Sequence, residues 1–261
     1  MEALAAIMRI LREPNGCPWD RKQTHQSLRP YLLEEAYEVL EVLDNGDYEE
    51  LREELGDLLL QIVFHARIAA EEGRFELKDS IRAIREKLIE RHPHVFGELK
   101  LDTADDVRDN WEKIKLNTRN GGKKKDQPKG TLSGVPHALP ALTRAFRVQE
   151  KMAGVGFDWP SAHGALDKLD EEIEEAREAI LSGNREAAEE EIGDLLFSVV
   201  NAARLSGFGA EESLRRSTEK VIGRFEMMER MVREDGKQVP DLNLEQLDVY
   251  WERAKKRQKG E

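Results

Sequence analysis

Glutamates stand three residues apart at Glu35 and Glu38, and a second acidic pair, Glu54 and Asp57, follows across a short Asn45-Gly46 turn. Residues three apart share one face of a helix, so each pair turns two carboxylates to the same side. Glu38 lies seven residues before Asn45 and Glu54 eight after Gly46, which sets them level on antiparallel helices. Glu35 and Asp57 are level one turn further from the bend. The arrangement recurs about Ser182-Gly183, with Glu172 and Glu175 before the turn and Glu191 and Asp194 after it. Four carboxylates therefore converge twice, each time beside a leucine run that marks the buried side of the hairpin. Desolvating even one carboxylate is costly unless a cation or a proton compensates, so each quartet calls for a cation. Every ligand offered is a carboxylate oxygen, with no His or Cys in register, which suits Mg²⁺, or Mn²⁺ as a substitute, over Zn²⁺. Mg²⁺ held by a few acids keeps positions open for water or phosphate oxygens, and this points to a polyphosphate substrate.

The elements that position these acids are helices throughout. Apolar residues recur at three- and four-residue intervals and β-branched alternation is scarce, so the fold class is all-α. Helices are expected near 1–12, 30–44, 47–72, 78–91 and 104–118, then near 141–152, 161–181, 184–206, 209–235 and 243–257. Asp47 to Glu50, "DYEE", reads as a capping box opening the third. Between the two sets the pattern dissolves into "NTRNGGKKKDQPKGTLSGVPHALP", rich in Gly, Pro and Lys. The expected organisation is a first domain over 1–118, a flexible linker over 119–140 and a second domain over 141–261.

The two domains repeat one unit. "EEAYE" (Glu34 to Glu38) matches "EEIEE" (Glu171 to Glu175), and "ELGDLLL" matches "EIGDLLF". Lys87 and Arg91 stand four apart, as do Lys220 and Arg224, while "WEKIK" (Trp111 to Lys115) answers "WERAK" (Trp251 to Lys255). Basic residues near helix ends also interact favourably with the dipole, and Trp111 and Trp251 read equally as core anchors or stacking platforms. None of the six His, among them His65, His92 and His94, has a metal-ligand spacing.

The formal charge of -12 over 261 residues disfavours a nucleic-acid polymer or an anionic membrane as partner. No stretch approaches the roughly 20 apolar residues of a membrane span. The lone Cys17 allows no disulfide within the chain, and a cytoplasmic protein is expected.

"EExxE" followed by "ExxD" on a helical hairpin, in tandem, with "GCPWD" near the start and "DWP" before the second copy, resembles the MazG family of all-α nucleoside triphosphate pyrophosphohydrolases. The resemblance covers essentially the whole chain and implies a homodimer that uses Mg²⁺ to cleave nucleoside triphosphates between the α and β phosphates. It assigns metal binding to Glu35, Glu38, Glu54 and Asp57 and to Glu172, Glu175, Glu191 and Asp194. It assigns nucleotide contacts to Lys220, Arg224, Trp251 and Lys255, with Lys87, Arg91, Trp111 and Lys115 as first-half counterparts. Glu34 and Glu171 are the candidates for positioning or deprotonating the attacking water. Two other classes remain open: a non-catalytic metal-binding or oligomerisation protein, and a di-iron carboxylate protein, whose usual Glu-x-x-His is missing here. Arg91 ends its helix just before Pro93 whereas Arg224 sits mid-helix, so the second half is expected to carry most of the hydrolysis.

Overall fold

The computed structural model describes residues 1–101, 103, 106, 107, 110, 114 and 130–258. Most of the helix expected over 104–118, the first half of the linker, and Trp111 and Lys115 lie outside the described residues. The chain divides into two units, Met1–Ala104 and Asp105–Glu261. Among the described residues there is no strand, and no helix is long and apolar enough to cross a membrane.

The first unit holds α1 (Glu2–Arg12), α2 (Pro18–Lys22), α3 (Arg29–Asn45), α4 (Tyr48–Glu71), α5 (Leu77–Arg91) and α6 (Pro93–Phe96). Helix α3 stops because Gly46 takes a left-handed conformation at φ 72°, which a residue with a Cβ adopts only at a cost. Asp47 opens α4 at once: its side chain accepts from the backbone N–H of Glu49 at 3.0 Å and of Glu50 at 3.2 Å. With two residues between them, α3 and α4 must return as an antiparallel hairpin. Met8, Leu28, Val63, Phe64 and Ile68 form the core where α1 crosses α4. Arg12, almost buried, ties the same helices by pairing with Glu71 at 2.7 Å and lying over the Phe64 ring. Helix α5 ends at Arg91, where Pro93 prevents continuation.

The second unit repeats this plan in α7 (Ala141–Ala153), α8 (Ala162–Ser182), α9 (Arg185–Leu205), α10 (Ala210–Glu234) and α11 (Leu244–Gln258). Gly183 at φ 73° closes α8, and Asn184 caps α9 by accepting from the N–H of Ala187 at 3.3 Å. Helix α9 packs on α7 as well as α8, while α10 and α11 form a second hairpin round Met228, Met231, Val232, Tyr250 and Ala254. The short helices α2 and α6 and a 3₁₀ turn over Val239–Asp241 were not expected, since elements of three to five residues are too short to show a period.

The leucines beside the acids are less buried than expected. Leu55 is 49% exposed and Leu196 50% exposed. On α8, Leu166, Ile173 and Ile180 stand seven residues apart and all remain exposed, as do Ile192, Leu196 and Val199 on α9. An apolar stripe at that spacing is a surface that packs against further helices. Each unit by itself leaves it uncovered.

Candidate active site

Both hairpins gather their glutamates as the spacing predicts. Carboxylate oxygens of Glu35, Glu38 and Glu54 lie within 4.8 Å of one another, and so do those of Glu172, Glu175 and Glu191. Asp57 and Asp194 stand outside these tight groups but close to them, for their charges help to raise the pKa of Glu35, Glu54 and Glu191. Burial is the larger cause of all three shifts, with the neighbouring carboxylates adding to it. These acids are harder to ionise than ordinary glutamates, as expected for a site built to be completed by a cation. Three or four converging carboxylates, one of them 95% buried in the case of Glu172, fit a hard divalent ion.

The second quartet already has a cation in its midst. Lys168, one turn before Glu172 on α8, places Nζ 2.8 Å from Glu171, 2.9 Å from Glu172 and 4.0 Å from Glu175. Its pKa is raised, chiefly by the bonds to Glu171 and Glu172, so the ammonium stays charged at any working pH. In the first unit the equivalent position is Tyr31, and Gln61 instead donates Nε2 to Glu35 at 3.2 Å.

A cavity of about 420 Å³ opens beside the second quartet. Glu172, Asp194 and Lys168 line one part of it, Phe157, Trp159, Phe197 and Met152 supply apolar walls, and Gln149, Ser198 and Asn201 supply polar atoms. Arg204 anchors the loop that carries the aromatics: its Nη2 is 2.5 Å from Asp158, and its Nη1 bonds the other carboxylate oxygen at 3.1 Å. The "DWP" motif falls here, whereas Gln149, Lys168, Asn201 and Arg204 were not among the expected site residues. Lys168 and Asn201 could have been found by looking for where the halves differ, since their counterparts are Tyr31 and Phe64.

The basic residues expected to contact the nucleotide lie apart from this cavity. Arg224 bonds Gln258 through Nε at 3.2 Å and lies over the Trp251 ring, 5.1 Å from its centre, on the α10–α11 hairpin. Gln258 also reaches the Lys220 carbonyl at 3.5 Å, and Lys255 pairs with Glu252 at 3.1 Å. None of Lys220, Arg224, Trp251 and Lys255 lines the cavity. In the first unit Lys87 is exposed and Arg91 closes α5. Glu171 is exposed on the rim, bonded to Lys168, and Glu34 is exposed on α3.

An all-α chain with two hairpins, each converging carboxylates fit to bind a metal ion, defines a class of helical acid-site proteins. Within that class the relationships are specific. The model of the MazG nucleotide pyrophosphohydrolase domain matches twice, over residues 23–96 and 161–228, and the chain belongs to the MazG family. It is 48% identical to the nucleoside triphosphate pyrophosphohydrolase/pyrophosphatase MazG of Thermotoga maritima, over 97% of this chain and 95% of that protein. It is 43% identical to the nucleoside triphosphate pyrophosphohydrolase of Escherichia coli K12, over 99% and 98% of the two chains. A crystal structure of a mazG-related protein from Thermotoga maritima, 30% identical, aligns over 44% of this chain and 98% of that one with a TM-score of 0.38.

Proposed function

We propose that the chain is a Mg²⁺-dependent nucleoside triphosphate pyrophosphohydrolase, cleaving between the α and β phosphates to release a monophosphate and pyrophosphate. The observation that carries this reading is the second unit, where a carboxylate cluster and a cavity with aromatic walls share Glu172, and Asp194 lines the same cavity. Such a site takes a ligand with an anionic end and a flat apolar end, as a nucleotide has. Relatives of nearly the same length bearing the pyrophosphohydrolase name support it.

Bound divalent ions supply charge neutralisation and lower the pKa of the attacking water. The chain's residues do the rest. Glu172, Glu175, Glu191 and Asp194 would hold the ions, and Glu35, Glu38, Glu54 and Asp57 would do the same in the first unit. Glu171 orients or deprotonates the water, with Glu34 as its counterpart. Lys168, which bonds Glu171 and Glu172, would supply a positive charge to the phosphates beside the same acids. Lys220, Arg224, Trp251 and Lys255 meet the nucleotide, Lys220 and Arg224 stabilising charge on the leaving pyrophosphate. Because these four sit outside the cavity, and because the stripe on α8 and α9 is uncovered, the working form is a homodimer in which a second copy covers the stripe and completes the site.

The test is product analysis on ATP and other triphosphates with and without Mg²⁺. Pyrophosphate and monophosphate, lost in excess chelator, are expected. Orthophosphate and diphosphate as first products would overturn the bond assignment, and unchanged turnover in chelator would overturn the metal. A pure metal-binding or assembly role predicts no product at all.

A further inference from the structure

Gln149, on α7, is 4% exposed and lines the cavity of the second unit. Its Nε2 donates to the Phe197 carbonyl on α9 at 2.8 Å. A carbonyl can only accept, so this bond fixes which end of the amide is which, and Oε1 is held away from it. That oxygen is buried and has no hydrogen-bond partner in the protein. A buried acceptor without a donor is costly, and beside a cavity it is a natural contact for a donor on the occupant. A second amide is oriented in the same way. Arg204 donates Nη2 to Asn201 Oδ1 at 2.7 Å, and since a guanidinium can only donate, the Asn201 amino end faces elsewhere. Small side chains, Ala165 and Ser198, leave room between them, and Phe157, Trp159 and Phe197 offer faces for a planar ring.

We infer that Gln149 determines base specificity: its Oε1 accepts a hydrogen bond from an N–H of the nucleobase bound in this cavity. The inference rests on the pyrophosphohydrolase reading, because it takes the triphosphate to lie on the acids and the base to point into the cavity. Asn201 meets the base as a donor, so the two amides together present an acceptor and a donor to one heterocyclic edge.

The experiment compares pyrophosphate release from nucleotides that differ by one N–H donor group of the base, using the full-length wild type and Gln149→Met. The pairs are ATP with purine riboside triphosphate, CTP with the 2-pyrimidinone riboside triphosphate, GTP with ITP, and UTP with N3-methyl-UTP. A sugar arm compares each nucleotide with its 2′-deoxy form. In the wild type at least one base pair should differ by tenfold or more in kcat/KM, in favour of the N–H. Gln149→Met should reduce that ratio to about twofold and leave the 2′-deoxy ratio unchanged. Each readout is a ratio within one preparation, so partial misfolding cancels, and the wild-type arm needs no variant. The inference is overturned if no pair differs in the wild type, if the variant keeps the same ratio, or if only the sugar arm responds. No pyrophosphate from any nucleotide would instead remove the activity reading beneath it.

Discussion

In the first unit Leu28 and Phe64 belong to the core, both almost fully buried and packed with Met8, Val63 and Ile68. In the second unit the corresponding positions, 137 residues on, are Ala165 and Asn201, and they line a cavity. Gln61 has likewise become Ser198, and Tyr31 has become Lys168. The acids are the same in both hairpins. What differs is the volume next to them, so the capacity to gather carboxylates and the capacity to admit a substrate are separate properties of this fold. One unit places these positions in its core and the other lines a cavity with them.

The largest effect expected from this contrast is on turnover when the acids are neutralised. Glu172→Gln with Glu175→Gln should reduce pyrophosphate release by a thousandfold or more, on the order of the loss of a metal and the charge stabilisation it supplies. Glu35→Gln with Glu38→Gln should keep most of it. If the first-unit double variant were the inactive one, or both lost half, the units would have to be treated as equivalent. The next effect comes from filling the second cavity as the first is filled. Ala165→Leu with Asn201→Phe should lower kcat/KM by about a hundredfold, since a misplaced substrate alone costs that much. Mn²⁺ binding, followed by paramagnetic resonance, should survive in the same variant. Loss of both together would show that space and metal are not separable after all.

Smaller changes are expected at the cation that distinguishes the quartets. Lys168→Met should lower the stability of the metal-free protein by about 1 kcal/mol or less, because the side chain is partly exposed and solvent screens the pairs. The same change should tighten Mg²⁺ binding at the second site by up to about tenfold, through removal of a competing charge. Tyr31→Met should do neither. Calorimetric titration of both variants separates the cases, and equal effects at the two positions would mean that Lys168 has no special part.

The smallest effect is on stability against pH. Glu35, Glu54 and Glu191 have folded-state pKa values above 4.5, so in the metal-free protein they bind protons more tightly than the unfolded chain does. Stability of the metal-free form should therefore fall as pH rises from 4.5 through the raised values, and excess Mg²⁺ should flatten that slope. Glu71, held down chiefly by its bond to Arg12, and Asp235, held down chiefly by its bond to Tyr250, work the other way. Their contribution is present above the ordinary carboxylate range and lost on acidification, with or without Mg²⁺. Melting temperatures across pH with and without the ion test both slopes; an upper slope that Mg²⁺ leaves untouched would detach the raised acids from metal binding.

The helices and the quartets were legible in the chain because both depend on spacing. Gly46 and Gly183 fix the turns, and once the turns are fixed, residues seven or eight positions away on either side must face each other. Among the described residues the long helices accordingly fall within a residue or two of their expected bounds. The basic residues were legible as repeats but not as neighbours of the acids: Arg224 lies with Trp251 and Gln258 on another hairpin. Spacing along one helix does not say which hairpin meets which.

The sequence by itself determined the all-α class, the duplication and the convergence of three glutamates in each hairpin. These follow from local periodicity. Only the tertiary structure decided that Leu28 and Phe64 lie in a core while Ala165 and Asn201 border a cavity, and that Gln149 is left with an unpaired acceptor. Whether a side chain fills space, lines it, or lacks a partner is set by what packs against it from distant parts of the chain. That depends on close packing in three dimensions, which periodicity along the sequence does not encode.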